Sequence, residues 1–256
     1  MSRHGAGAAR PFTVAILSDI HGNDAALAAV LDDLRPQPHD RIVIAGDLAM
    51  NGPRPREALA RLRALGAPTI RGNADRAVCS ARSTNPGARW VRERLGQDHL
   101  SYLACLPFSH RITPPSGVSP GDDLLVVHST PASDAAILTV QPDPFGLLNV
   151  TPPERAAQLL GDATAGIIVS GHVHYASEGT AAGRRFASVG SVGFPYDGDP
   201  RAAYALATWD GRSWRLRHRR VTYDHRQVAD EVRAWGYPFG ERAAERLLLA
   251  RFIPLA

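Results

Sequence analysis

Seven side chains of the kinds that bind metal ions stand directly after five short apolar runs of the chain. They are Asp19, His21, Asp47, Asn73, His128, His172 and His174. Carboxylates and imidazoles together suit divalent ions such as Mn, Fe, Zn, Ni or Co, and manganese is the ion we expect. Two ions about 3.5–4 Å apart, bridged by a carboxylate, clamp the attacking and leaving oxygens of an in-line displacement and supply a metal-activated hydroxide. The pattern therefore predicts a two-metal hydrolytic site.

The apolar runs that precede these side chains are typical of β-strands. They cover residues 14–18, 41–45, 67–71, 124–127 and 167–170. Between the first three runs, the spacing predicts an amphipathic helix that Asn23 caps, and a second helix over 55–65. This βαβαβ pattern predicts a parallel sheet, in which ligands bind beyond the carboxyl ends of the strands.

Strand geometry suggests how the candidates pair. Because residues i and i+2 of a strand face the same side, Asp19 and His21 can clasp one ion. By the same argument His172 and His174 can present two imidazoles to a shared site. A glycine directly before three of the seven candidates allows a sharp turn and a close approach of a ligand.

The remaining segments are predicted to surround the site. Residues 76–110 form a helical insertion beside it, and residues 129–150 form a long loop over it, where we expect substrate specificity to be decided. A helix follows that Thr151 caps, with Glu154 closing a capping box.

The C-terminal part contains short strands. Strands are predicted over 185–188, 204–209 and 214–221, with a hairpin turn between the last two, and they suggest a second, more antiparallel sheet. Helices over 227–235 and 241–252 close the chain. We expect a loose tail over residues 1–11 and one domain over residues 12–256.

Composition limits the classes of function. The chain has 256 residues and a net charge of +4, which mildly favours anionic substrates. The charge is too small and too dispersed to indicate nucleic-acid binding, although a nucleotide could be the substrate. Neither a signal peptide nor an apolar run of about 20 residues is apparent, so no membrane is expected. Cys79 and Cys105 are interpreted as reduced thiols of a cytoplasmic protein. The oligomeric state is left open.

The ordered motifs resemble the calcineurin-like metallophosphoesterase family. They are Asp19-x-His21, Gly46-Asp47, Gly72-Asn73-x-Asp75, His128 and Gly171-His172-x-His174. The segments 190–193 and 199–204 are similar to the end of the compact bacterial branch of that family. The resemblance implies an α/β fold with a two-sheet β-sandwich flanked by helices (αββα). It also implies a phosphomonoesterase or phosphodiesterase that acts on a small phosphorylated substrate.

The resemblance also implies a division of the ligands between two ions that share Asp47. Metal 1 would be bound by Asp19, His21, Asp47 and His174, and metal 2 by Asp47, Asn73, His128 and His172. Asn73, His172 and Asp75 are the candidates for catalytic roles. Many family members have a histidine after the asparagine that protonates the leaving group, and Ala74 occupies this position here. We therefore expect good leaving groups such as aryl alcohols to be favoured.

Several alternatives stay open. Asn23 could contact a phosphate, although its helix-capping role is favoured, and Arg54 could bind a phosphate, although a solvated arginine is favoured. Asp75 could orient a water or pair with Arg76. Arg215, Arg217 and Arg219 are favoured as a charged strand edge over a nucleic-acid stripe. The same site could hydrolyse a dinucleoside polyphosphate, and a scaffold that has lost turnover is the alternative outside enzymes.

Overall fold

The structure of the protein, a computed structural model, describes residues 10–142 and 148–254. Most of the predicted tail and the centre of the predicted 129–150 loop therefore lie outside the described residues. Within the described part, no helix is both long and apolar enough to cross a membrane.

The described chain alternates between strands and helices. The strands are β1 (Phe12–Leu17), β2 (Arg41–Ile44), β3 (Ser109–Ile112), β4 (Leu124–Val127), β5 (Val140–Pro142), β6 (Leu148–Val150), β7 (Ile167–Ser170), β8 (Ala176–Ala181), β9 (Arg184–Val189), β10 (Ala202–Trp209) and β11 (Trp214–Val221). The helices are α1 (Asp24–Leu34), α2 (Pro55–Leu65), α3 (Asn73–Cys79), α4 (Pro86–Arg94), α5 (Gln97–Ala104), α6 (Pro153–Leu160), α7 (His225–Ala234) and α8 (Gly240–Leu249).

Two mixed sheets form the centre of the fold. The first, sheet A, has the order β11-β10-β1-β2, and the second, sheet B, has the order β3-β4-β7-β9-β8. In sheet A, β1 is parallel to β2 and antiparallel to β10. In sheet B, β4, β7 and β9 are parallel. Helices flank both sheets, which confirms the predicted α/β sandwich.

Strand β1 illustrates why the apolar runs are continuous. Val14 and Ile16 belong to the core between the sheets, whereas Ala15 and Leu17 belong to the core between sheet A and its helices. Because successive side chains point to opposite faces and both faces are covered, every position from 14 to 17 must be apolar.

The predicted strand over 67–71 is wrong. The segment makes one isolated bridge between Thr69 and Ile44, supported by hydrogen bonds from the Ile44 amide to the Pro68 carbonyl and from the Ile70 amide to the Ile44 carbonyl. Pro68 has no N–H to donate, so a regular ladder cannot form here. The segment still runs beside β2 and delivers Asn73 to the same edge.

The predicted grouping of the C-terminal strands is also wrong. Strand β9 lies between β7 and β8 in sheet B, whereas β10 and β11 extend sheet A next to β1. The alternation of side chains identifies a strand but carries no information about which strand lies beside it. The predicted hairpin is confirmed, since the Asp210 side chain accepts hydrogen bonds from the amides of Arg212 and Ser213 between β10 and β11.

Several boundaries also differ from the sequence predictions. The helical insertion ends earlier than residue 110, because β3 begins at Ser109. Thr151 does not cap α6: the N-cap is Pro152, and the Thr151 amide donates to the Thr139 carbonyl. The last helix ends at Leu249 because Ala250 adopts a left-handed conformation with φ of 48°.

Candidate metal centre

The candidate ligands lie in loops just past the strand ends. Strand β1 ends at Leu17 and β7 at Ser170. Five of the seven candidates have positive φ angles: Asp19 (54°), His21 (52°), Asp47 (57°), His172 (67°) and His174 (61°). Left-handed backbone is uncommon for residues other than glycine and clusters at functional sites. The strand periodicity used to pair these residues therefore does not apply to them.

These loops gather six acidic and imidazole side chains into two groups. Asp19, His21 and His174 form one group, and Asp47, His128 and His172 form the other. In each group the possible ligand atoms lie within 4.8 Å of one another. His172 and His174 fall into different groups, contrary to the expectation from strand periodicity.

Asp47 lies between the two groups. Its Oδ2 is 3.6 Å from Nε2 of His21 and 3.4 Å from Nε2 of His128, and so faces one imidazole of each group. Its Oδ1 accepts a hydrogen bond of 2.8 Å from the amide of Ala74. Asn73 joins the second group, with its side chain 3.1 Å from Nε2 of His128. Asp47 is thus placed to bridge two ions.

A backbone carbonyl fixes the orientation of each of the four imidazoles. Nδ1 of His21 contacts Met50 O at 2.9 Å, Nδ1 of His128 contacts Ala45 O at 2.8 Å, Nδ1 of His174 contacts Phe194 O at 2.5 Å, and Nε2 of His172 contacts Ala135 O at 3.1 Å. Because a carbonyl only accepts, the contacting nitrogen must carry the hydrogen. In its neutral form, each ring then presents the lone pair of its other nitrogen to the centre, as in metal sites.

Unmatched acceptors in the centre provide a test of whether cations fit. Oδ1 of Asp19 is buried and lies 3.1 Å from Nε2 of His174, but no described residue donates a well-formed hydrogen bond to it. Nε2 of His21 lies 3.1 Å from Nε2 of His174, so in the neutral rings two lone pairs face each other. The side-chain oxygen of Asn73 faces ring nitrogens of His128 and His172. The carboxamide could donate to these nitrogens only if its oxygen and nitrogen exchanged places. Acceptors that face acceptors in a buried site fit cations placed between them.

Charge within the centre leads to the same requirement. Burial raises the pKa of Asp47, but His128 and His21 outweigh it and hold that pKa at about 2. Burial lowers the pKa of His128, but the Asp47 carboxylate raises it to about 10. Burial also opposes ionisation of Asp19, whose pKa nevertheless lies well below its usual value because of His174 and His21. The ionised carboxylates thus favour positive charge close by, which protonated imidazoles or divalent cations could supply.

Asp75 has a different place from the one expected. It is completely buried, and its carboxylate accepts backbone hydrogen bonds from Asp47 (2.9 Å), Leu48 (2.8 Å) and Gly72 (3.0 Å). Burial and the neighbouring Asp47 raise the pKa of Asp75 to about 6. No described contact joins it to Arg76, which instead binds Asp134 through two hydrogen bonds. Asp75 therefore ties together the two loops that carry Asp47 and Asn73.

The two candidate substrate contacts are occupied by other partners. Oδ1 of Asn23 accepts from the Ala26 amide at 3.0 Å, which confirms the helix cap, and its Nδ2 donates to Gly193 O at 2.9 Å. Arg54 makes two hydrogen bonds, of 2.9 and 2.7 Å, to Glu231 rather than standing free in solvent.

Some residues of the centre were not identified from the sequence. The anchoring carbonyls carry no side-chain signal, because any residue type can supply them. Asn51 has a φ of 85°; its side chain lies 3.3 Å from Nδ1 of His21 and accepts a hydrogen bond of 3.0 Å from the Tyr237 hydroxyl. Its position directly before Gly52 was the available hint. The ring of Tyr196 stacks on His174 with centroids 4.3 Å apart, and nothing in the sequence indicated this contact.

Comparison with known proteins agrees with this geometry. Residues 12–212 match the calcineurin-like phosphoesterase superfamily domain, and the chain belongs to this superfamily. An uncharacterised protein of Methanocaldococcus jannaschii is 24% identical over 266 aligned residues, covering 93% of this chain and 98% of that protein.

Two solved structures have a similar fold over nearly the whole chain. A metallophosphoesterase from Sphaerobacter thermophilus is 27% identical with a TM-score of 0.72, covering 94% of this chain and 100% of that one. A hypothetical protein from Pyrococcus horikoshii is 20% identical with a TM-score of 0.73, covering 92% and 97%.

Proposed function

We propose that the protein is a phosphoesterase that requires two divalent metal ions and hydrolyses small phosphomonoesters or phosphodiesters. One ion would be held by Asp19, His21, Asp47 and His174, and the other by Asp47, Asn73, His128 and His172. Manganese is the proposed ion, because the mixed carboxylate, carboxamide and imidazole set suits it. We further propose that residues 12–256 act as one domain and that the protein works in the cytoplasm, where Cys79 and Cys105 stay reduced, as they are unpaired here.

One observation carries this proposal: four imidazoles, each fixed by a backbone carbonyl, direct their second nitrogen toward two buried carboxylates. A protein that had lost turnover would have no need to keep four such orientations at the cost of left-handed backbone. This argument favours the enzyme over the scaffold alternative.

Bound divalent ions would lower the pKa of water toward about 7 and polarise the phosphoryl oxygens. The chain itself fixes the geometry. Asp47 faces both ligand groups, and Asp75 fixes the loops on either side of it. His172 is the partly exposed imidazole, whereas His21, His128 and His174 are buried, so a substrate would approach from the side of His172.

Position 74, where many family members have a histidine that protonates the leaving group, is occupied by a buried alanine. Ala74 is 1% exposed and packs in the core beside sheet A, while its amide binds Asp47. We therefore propose that protonation of the leaving group contributes little and that aryl esters react faster than alkyl esters. Equal rates on aryl and alkyl diesters would contradict this part of the proposal.

Hydrolysis of bis(p-nitrophenyl) phosphate with and without Mn²⁺ tests the main proposal. We expect turnover that EDTA abolishes and that Asp47→Asn reduces by at least about a hundredfold, because the bridging position loses its charge. Asp32→Asn, an exposed change on α1, is the matched control and should leave the rate unchanged. Turnover of diadenosine polyphosphates alone would favour the phosphoanhydride reaction. No turnover with any divalent ion would favour the scaffold.

A further inference from the structure

An apolar cavity of about 170 Å³ opens directly beside the candidate metal centre. Its walls include His172, Ile137, Tyr175, Tyr196 and Phe252. Apart from His172, none of these residues belongs to the ligand set or was singled out by a sequence motif. The cavity therefore adds an apolar chamber to a centre that is otherwise charged and polar.

The aromatic wall of the cavity is continuous with the metal centre. The Tyr196 ring lies nearly parallel to the His174 imidazole, at an interplanar angle of 13°. Phe252 meets Tyr196 edge-on with centroids 5.7 Å apart. The guanidinium of Arg246, a residue 5% exposed, lies 5.6 Å from the Tyr196 ring and 5.1 Å from the Phe252 ring. Packing against His174 and Arg246 therefore positions Tyr196 before any ligand arrives, whereas Phe252 is 49% exposed.

The size of the cavity suits a single aromatic ring. An apolar protein cavity of about 150 Å³ is large enough to bind benzene. The only polar side chains among the described residues of the lining are Tyr175, Tyr196 and His172, so most hydroxyl groups of a sugar would stay unmatched there. Each buried unmatched group costs about 1–3 kcal/mol. The shape and lining thus favour a flat apolar group.

The position of His172 connects the cavity to the phosphoryl site. Nδ1 of His172 faces the Asn73 side chain, while the residue also forms part of the cavity wall. A phosphoryl group held at the metal centre could therefore place one substituent in the cavity. We propose that this cavity is a subsite for an aromatic or similarly flat apolar substituent on phosphorus, so that the substrate is an aryl-type phosphate rather than a sugar phosphate. This inference rests on the proposed phosphoesterase function.

Phenylphosphonate and methylphosphonate test the subsite, because they share a headgroup and have no ester bond to hydrolyse. Their dissociation constants would be measured by calorimetry on the Mn²⁺-loaded protein, with inorganic phosphate as a probe of the metal centre alone. We expect phenylphosphonate to bind about tenfold more tightly than methylphosphonate, because the ring leaves water. Ile137→Trp, which fills the cavity, and Phe252→Ala, which opens its wall, should both reduce this preference.

Leu249→Ala is the matched control, since Leu249 is 56% exposed near the same end of the chain but does not line the cavity. It should retain the full preference for phenylphosphonate. Equal binding of the two phosphonates while phosphate still binds would overturn the subsite and leave the phosphoesterase proposal intact. A preference that Ile137→Trp does not change would also overturn the subsite. Failure of all three probes to bind would overturn both proposals.

Discussion

At the scale of single residues, the centre depends on backbone conformations that ordinary residues avoid. A left-handed conformation costs roughly 1–2 kcal/mol for a residue with a Cβ atom. Asp19, His21 and Asp47 adopt it on one side of the centre, and His172 and His174 on the other. Such strain persists only where neighbouring contacts hold it, and the carbonyl contacts to the imidazoles are contacts of this kind.

Gly171 offers a sharp test at this scale. A Cβ atom at this position would collide with the side chains of Ser18 and Asp19, since the loop before His172 passes directly over them. We expect Gly171→Ala to displace the Asp19 carboxylate and to lower the content of bound Mn²⁺, measured by elemental analysis after dialysis, by at least about tenfold.

Gly96→Ala is the control for that change. A Cβ atom at Gly96 meets nothing within 4 Å, and its φ of −68° suits any residue. This variant should retain its metal. Full metal content in Gly171→Ala would contradict the close approach of the two loops.

At the scale of elements, strand ends supply the ligands and side-chain pairs fasten helices to the sheets. Strand β11 forms the edge of sheet A, and two of its three alternating arginines have acidic partners: Arg215 pairs with Asp210 and Arg219 with Asp33. This agrees with the charged-edge interpretation and gives no support to a nucleic-acid stripe. Asp33, on α1, also accepts a hydrogen bond from the Tyr204 hydroxyl on β10, so one carboxylate joins a helix to two strands.

The Asp33 contacts predict a dependence of stability on pH. Hydrogen bonds from Arg219 and Tyr204 lower the pKa of Asp33 below its ordinary value of 3.8. The resulting stabilisation is present above a pH of about 4 and disappears as the pH falls through the lowered pKa. We expect Asp33→Asn to reduce the free energy of unfolding by about 1 kcal/mol at pH 7, with a smaller difference at pH 3.

Urea denaturation at both pH values measures this effect. Asp32→Asn is again the matched control, because Asp32 pairs with Arg35 on the surface, where both side chains are more than half exposed. Its effect should stay within about 0.5 kcal/mol. A difference for Asp33→Asn that did not shrink at low pH would show that its charge is not the source of the stability.

At the scale of the whole molecule, each ligand group joins the two sheets. Asp19, His21 and Asp47 follow strands of sheet A, whereas His128, His172 and His174 follow strands of sheet B. An ion in either group would therefore link the two halves of the sandwich. Pulling the sheets apart would break that coordination, so metal binding should be coupled to global stability.

This coupling predicts a large effect of metal on thermal unfolding. At a free Mn²⁺ concentration about 100 times the dissociation constant, binding to the folded state adds about 2.7 kcal/mol. For a chain of this size that corresponds to a rise in Tm of roughly 5–10 °C over protein in EDTA, measured by calorimetry. Asp47→Asn should show a much smaller rise. An equal rise in that variant would indicate that the metal binds elsewhere.

The sequence alone was sufficient for the class of fold and for the set of candidate ligands. The apolar runs buried on both faces identified β1, β2, β4 and β7, because only a strand covered on both sides needs uninterrupted apolar residues. Side chains with metal-binding chemistry directly after those runs indicated where the centre lies. These are local properties, which depend on the residue types and their order along the chain.

The tertiary structure decided how the strands are grouped and how the side chains are aimed. It placed β9 in sheet B and β10 in sheet A, divided His172 from His174, and oriented Asp75 toward backbone amides. It also placed Tyr196 and Phe252 beside the centre, although 20 residues or more separate them from the motif that ends at His174. Contacts of this kind join distant parts of the chain through backbone carbonyls and ring packing, and neither leaves a periodic signal in the sequence.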